Sequence, residues 1–292
     1  MLQSRTILLI ALLVVSAISS LAQGRTYDDI IETKQLIVSV YRDFAPFSFE
    51  KDGKAHGIDV DIAKQIAKSL NVELTVRFTT ADESVEDDLR NTLWKGDFQT
   101  KTKSDLMMRV PYDRDYSQMR DDIGELVHDR VHMFAPYHTE SWQIAFNKNK
   151  IEEVSTMAVF QYHDIGVEVD TVPAFYLTGA FRGTMTKHTH HYPNIRLARD
   201  AMLAEEVDAI MGLRSEVSHL LVEQPANFEL ATNAFPLIGR QQWDIGMAVK
   251  SDYRQLSYAI GDVVTEMVKN GQMARIFEQY GSIYQQPTYY NP

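Results

Sequence analysis

The chain has 292 residues, with 40 Asp and Glu against 29 Lys and Arg for a formal net charge of −11, and it contains no cysteine. That acidity makes nucleic acid and anionic membrane surfaces poor partners, and the lack of cysteine excludes both disulfides and a cysteine-linked lipid. An apolar fraction of 45% and a charged fraction of 24% belong to an ordinary globular protein, long enough for one large domain or, better, two lobes.

Arg5, the apolar run Ile7 to Val15 and the small-x-small pattern Ser20-Leu21-Ala22 predict an export signal over residues 1–22, cleaved near Ala22. The run is too short to favour a membrane span; an uncut anchor is the alternative. Leu36, Ile37, Val38 and Val40 then form a short, partly β-branched run that suits a strand covered on both faces. Phe44, Pro46, Phe47 and Phe49 follow on a loop. Beyond a polar turn, Ile58, Ile62, Ile66 and Leu70 recur every four positions, which predicts one apolar helix face. Asp59 and Asp61 open that helix and Lys64 and Lys68 lie later, as its dipole prefers. A loop at the carboxyl end of such a strand is where open α/β sheets hold ligands.

Val72 to Phe78 reads as a second strand, Val85 to Trp94 as a helix and Ser104 to Val110 as a third strand, which completes one doubly wound lobe. Residues 111–132 are polar and irregular, and Trp142 to Phe146 looks like a strand leaving the lobe. In a second lobe, Ile165 to Val169 is a strand and Asp170-Thr171-Val172-Pro173 a helix start. The helix Ile195 to Glu205 should pack through Leu197, Ala198, Ala201 and Met202 and lead into the strand Val207 to Met211. Trp243 to Val249 would return to the first lobe, and two helices, broken at Gly271, would close the chain.

The expected fold is therefore α/β, with two doubly wound lobes joined by a two-strand hinge. Lobe 1 takes residues 23–142 and 247–282, and lobe 2 takes 143–246. The crossings fall near 140–147 and 241–249, and 283–292 form a Tyr-rich tail. A two-strand hinge lets a cleft open and shut on a ligand.

Taken in order, YRDFAPFSF, GIDVDIAKQIAKSL, SDLMM, WDIGMAVKSD and VVTEMVKNGQMARIFEQYG resemble the periplasmic solute-binding proteins of family 3, the polar amino-acid receptors of ABC importers with the type II periplasmic binding fold. The likeness runs over roughly residues 33–282. Residues 104–147 look more like a side branch, the binding-protein-like accessory component of quinoprotein methanol dehydrogenases. The resemblance implies an aromatic at Phe44 stacked on a ligand. It also implies an Arg after the strand at Asp105 to Met108 for the ligand carboxylate, and an acid after Val207 to Met211 for its ammonium. Arg109-Val110-Pro111-Tyr112 and Gly212-Leu213-Arg214 stand there instead. Without those charge partners a buried zwitterion would lose heavily on desolvation, so the expected ligand is a small molecule other than an amino acid.

The candidate ligand-binding residues are Phe44, Arg109, Tyr112, Asp170, Thr171 and Arg214. Phe44 either faces a pocket or packs its own loop. Arg109 ends an apolar strand, so its guanidinium either forks onto a ligand or pairs with Asp113 or Asp115. Tyr112 suits a cleft wall. Asp170 and Thr171 either present a helix N-terminus to an anion or serve as a plain cap. Arg214 either enters the cleft or is exposed. His188, His190 and His191 have a spacing that can ligate metal, but with no carboxylate nearby in sequence they read as a solvated surface, as do His128, His132 and His138. No metal and no cofactor are expected.

The leading function is an exported, periplasmic, monomeric receptor that closes on its ligand without chemistry and delivers it to an ABC permease. One alternative is an accessory protein of a quinoprotein dehydrogenase. The other is an enzyme like the cyclohexadienyl dehydratases that share this fold, for which Asp113, Asp170 and Arg109 would have to supply the chemistry.

Overall fold

A computed structural model describes residues 24–222 and 227–291; the export signal expected over residues 1–22 lies outside them. In chain order the elements are α1 (Tyr27–Thr33), β1 (Gln35–Tyr41), β2 (Phe49–Lys51), β3 (Lys54–His56), α2 (Ile58–Ser69), β4 (Glu73–Thr79), α3 (Val85–Leu89), β5 (Leu106–Pro111) and α4 (Arg114–Ser117). They continue with β6 (Val131–Asn147), β7 (Ile165–Glu168), α5 (Val172–Gly179), β8 (Thr189–Tyr192), α6 (Ile195–Leu203), β9 (Ala209–Leu213), α7 (Arg214–Leu220), β10 (Phe228–Leu230), β11 (Gln242–Lys250), α8 (Arg254–Lys269) and α9 (Gln272–Gln279).

The chain divides into two compact units, one of residues up to Tyr137 with Ile245–Gln272 and the C-terminal residues from Tyr289, the other of His138–Asp244 with Met273–Thr288. Strands β6 and β11 each begin in one unit and end in the other. The structure moves the expected boundaries. Residues 138–142 belong to the second unit, residues 245–246 to the first, and α9 from Met273 on, assigned from sequence to lobe 1, to the second. Phe277 explains why: its ring lies 4.4 Å from His138, and just beyond it Ser282 Oγ donates to Ser215 O at 2.9 Å. The tail is likewise tied down, since Thr139 N donates to Gln285 O at 2.9 Å.

In the first unit the strands run in the order β4-β1-β5-β11, with β1 parallel to β4 and β5, and β11 antiparallel to β5. Leu36 to Val40 are all buried, as expected of a strand covered on both faces. α2 buries Ile58, Ile62 and Ile66. It starts at Gly57, whose φ of 123° suits only glycine and where a Cβ would come within 2.2 Å of Phe47 O. The predicted helix over 85–94 is α3 followed by a π-helical turn at Arg90–Trp94.

In the second unit the order is β6-β9-β7-β8, with β10 on β6. Ile144, Phe160, Val167, Leu177 and Met211 share one core, while Ala198, Met202, Ile210 and Val217 share another. Helices therefore cover both faces of this sheet. Leu197, expected in the core, is exposed because it lies beside Arg196, off the face that carries Ile195, Ala198, Ala201 and Met202.

Candidate functional site

β1 and β5 run parallel, so the segments that follow them emerge at the same edge of the first unit's sheet. After β1 the chain folds tightly: Phe44 N donates to Ser48 O at 2.8 Å and Phe47 N to Phe44 O at 2.8 Å. The Phe44 and Phe47 rings lie 4.9 Å apart. Phe47 is fully buried, whereas Phe44 stays half-exposed. The polar turn that sequence places next is the hairpin β2–β3.

Arg109 does not stand at the surface. It is only 7% exposed, and its Cζ sits 3.2 Å from the Phe47 ring centroid and 5.3 Å from that of Phe44. The cause is backbone: opposite it the β5–β11 register shifts between Gly246, facing Val110, and Met247, facing Met108. Arg109 is thus the extra residue of a β-bulge, with φ 63°, and the bulge re-aims its side chain. Around it lies a buried polar group. Tyr137 OH donates to Asp59 Oδ1 at 2.7 Å, and Asp59 Oδ2 has no hydrogen-bond partner among the described residues. Burial pushes the Asp59 carboxyl up to about 6, against the opposing pull of the Arg109 charge and the Tyr137 hydroxyl. Asp59, read from sequence as a first-turn acid of α2, lies in the interior.

Immediately past β5, a hollow of about 350 Å3 is lined by Tyr112, Asp113, Arg114, Ser117, Gln118 and Met133. Asp113 caps α4, its Oδ1 accepting from Tyr116 N at 2.8 Å, and Arg114 follows it, exposed. Tyr112 also borders a second hollow of about 320 Å3 and meets Tyr289 of the tail edge-on at 6.0 Å. Sequence reasoning singled out Tyr112 but missed Arg114. The available signal was an Arg directly after an Asp cap, five residues beyond the Arg that drew attention.

In the second unit Asp170 and Thr171 separate. Asp170 adopts φ 59° and is exposed, which turns it out of the helix start. Thr171 is the cap of α5, its Oγ1 accepting from Ala174 N at 3.5 Å and donating to Glu168 O at 2.7 Å. Pro173 removes another N–H from that turn. Val169, Val172 and Phe175 are exposed around it, so this helix start is apolar and offers an anion little. Arg214 is also engaged: Nη2 donates to Gln285 Oε1 at 2.6 Å and Thr139 O at 3.3 Å, tying the tail to β6. Burial lowers its pKa.

The histidines do have a neighbouring carboxylate, supplied by folding from Asp164. Its Oδ1 lies 2.8 Å from His188 Nδ1 and 3.1 Å from His190 Nε2. His138 is buried, with Nε2 2.9 Å from Ser215 Oγ. His128 is buried too, and burial lowers its pKa. Among the described residues no group of three His, Asp or Glu is placed to hold a metal ion, and no helix is long and apolar enough to cross a membrane.

This α/β architecture is that of the type II periplasmic binding proteins. Residues 36–98 match the bacterial extracellular solute-binding proteins, family 3. Over 281 residues the chain is 22% identical to the L-cystine-binding protein TcyJ of Escherichia coli (strain K12), covering 94% of this chain and 92% of that one. Among solved structures it resembles an ancestral cationic amino-acid solute-binding protein at TM-score 0.66 and 18% identity, over 88% of this chain and 99% of that one. A further structure of that ancestor is described as a precursor of cyclohexadienyl dehydratase. An amino-acid ABC transporter substrate-binding protein of Streptococcus pneumoniae, bound to L-arginine, matches at TM-score 0.62 and 17% identity, over 90% of this chain and 100% of that one.

Proposed function

We propose that the chain is an extracellular solute-binding protein of family 3 that takes an amino acid, or a close derivative of one, and delivers it to a membrane permease. The carrying observation is the hollow past β5, which holds a carboxylate, Asp113, beside a guanidinium, Arg114, with Tyr112 in its wall. Adjacent opposite charges match a zwitterion, and an Arg fork suits a carboxylate. The place fits as well, since ligands of open α/β sheets bind beyond the carboxyl ends of strands. The relatives named above are described as binders of amino acids or cystine. The expectation of a ligand other than an amino acid rested on missing charge partners, and Asp113 with Arg114 offers a pair that the family's usual offsets did not reveal.

Phe44 and Tyr112 keep their proposed places against the ligand, and Arg114 joins them as carboxylate partner. Arg109, Asp170, Thr171 and Arg214 are assigned supporting roles. Ligand binding should raise the melting temperature of the purified protein by mass action. The expected result is stabilisation by one or more L-amino acids or L-cystine, with affinity lowered at least about tenfold in Arg114→Gln through loss of a charged hydrogen bond. No response to amino acids, together with co-purification of a quinoprotein dehydrogenase, would replace this reading with the accessory role resembled by residues 104–147. Turnover of prephenate or arogenate would replace it with the dehydratase.

A further inference from the structure

Between β5 and β6 the chain makes an excursion whose backbone closes on itself. Ser117 N donates to Asp113 O, Val127 N to Met119 O and Asp121 N to Glu125 O, each at 2.9 Å. Of residues 112–130 only His128 is buried, at 4% exposure, with Tyr116, Leu126 and Val127 half-buried around it. Its ring lies 4.4 Å from that of Tyr116 on α4, and neither ring nitrogen has a hydrogen-bond partner among the described residues. The one buried side chain of the excursion is therefore a titratable ring held by packing alone. An imidazolium has two N–H groups to donate, and in that place it would be a buried charge with no acceptor. We propose that His128 is an acid-sensitive latch: neutral, it seats the excursion on the first unit; protonated, it leaves its place and the excursion opens.

The consequence for ligand binding rests on the receptor reading above. Ser117, Gln118 and Met133 border both a hollow of about 240 Å3 at His128 and the hollow assigned to the ligand. Arg114 belongs to the same excursion, so opening it dismantles one wall of the ligand hollow. The charges facing His128 set the direction. Glu86 of α3 favours the proton but is exposed, as is Asp129 on the excursion itself, so water screens both. From β6 comes His132, whose own pKa is lowered by burial and by Arg254, an exposed cation of α8. Tyr116 is uncharged, its pKa raised to about 12 chiefly by burial. Burial outweighs Glu86 and holds the His128 pKa below its ordinary 6.5. A histidine that is depressed when seated and ordinary when released takes up a proton on opening. Seating is therefore stable above about pH 6.5 and weakens as pH falls, with opening growing by up to about tenfold per pH unit.

The test is amide hydrogen exchange of the purified protein read by mass spectrometry, with each rate divided by that of the unfolded chain to remove its intrinsic pH dependence. From about pH 7.5 to about pH 5.5, protection of residues 117–129 should fall at least about threefold relative to α2. The fall should vanish in His128→Phe, which keeps a ring and, since the nitrogens make no hydrogen bond, loses none. It should persist in His132→Phe. Melting curves establish which variants fold, and if His128→Phe does not, His128→Gln takes its place. Protection independent of pH in the wild type, or a fall that persists in the folded His128 variant, overturns the inference. Calorimetric titration with the common L-amino acids and L-cystine examines the link to the receptor, because a ligand held in the hollow should restore protection at the lower pH by mass action. An amino acid that binds without restoring it overturns that link and leaves the receptor reading intact. Binding of none overturns the receptor reading, while exchange still decides the latch.

Discussion

Replacing Asp59 by Asn should remove a specific pH dependence from the stability of the first unit. Asp59 is wholly buried, one oxygen accepts from Tyr137, and its carboxyl is raised from 3.8 to about 6, chiefly by burial. A carboxyl whose folded pKa exceeds its unfolded value binds more protons in the native state between the two. Its stabilising contribution is therefore present at low pH and is lost as pH rises through about 4 to 6. The shift corresponds to about 3 kcal/mol in all, of which about 2 kcal/mol falls between pH 4 and pH 7. Asn is nearly isosteric, keeps an acceptor for Tyr137 and does not titrate. The attraction between the Asp59 carboxylate and Arg109 exists only where Asp59 is ionised and is already contained in its pKa of about 6, so losing it adds no pH dependence beyond that shift. Urea unfolding followed by circular dichroism at pH steps from 4 to 8, with both proteins in the same buffers, isolates the slope. The wild-type stability minus that of Asp59→Asn should fall by about 2 kcal/mol from pH 4 to pH 7 and level off above. A flat or rising difference would refute the claim that Asp59 is buried and ionises against its surroundings.

Two other substitutions probe the same region. Tyr137→Phe removes the donor to Asp59, and at pH 7 it should destabilise by about 1–3 kcal/mol through an unsatisfied buried carboxylate; the loss should shrink at pH 4, and an unchanged loss would show that the ring rather than the hydroxyl matters. Gly57→Ala puts a Cβ 2.2 Å from Phe47 O at a φ of 123°, so it should lower stability by more than the roughly 1 kcal/mol of an ordinary strained residue. The same variant should weaken ligand binding by displacing the Phe44–Phe47 loop, as read by the calorimetric titration; an unaffected melting temperature would contradict the tight packing of α2 on that loop.

Much of the architecture was legible in the chain. Strand β1 showed as a short run of Leu, Ile and Val, and α2 as Ile at every fourth position, since periodicity reports which face is buried. The cap of α5 was readable from Thr171 and Pro173. Boundaries were less so, because they depend on partners distant in sequence: α9 carries an apolar face, but only the rings of Phe277 and His138, 4.4 Å apart, assign that face to the second unit. A long strand such as β6, 17 residues, was hidden because His138 and Glu140 break the apolar pattern while being buried.

The site divides in the same way. Sequence by itself determined where the loops of the proposed site emerge, after β1 and β5, and which aromatic side chains they bring, because strand order and side-chain type are local properties. Only the tertiary structure decided what the charges do. A one-residue bulge opposite Gly246 and Met247 turned Arg109 inward under Phe44 and Phe47, Gln285 took up Arg214, Asp164 reached two histidines, and Arg114 was left on the open hollow with Asp113. Hydrophobic burial follows a period that can be read along the chain, whereas a charge takes its role from whichever counter-charge, ring or solvent the fold places within a few ångströms of it.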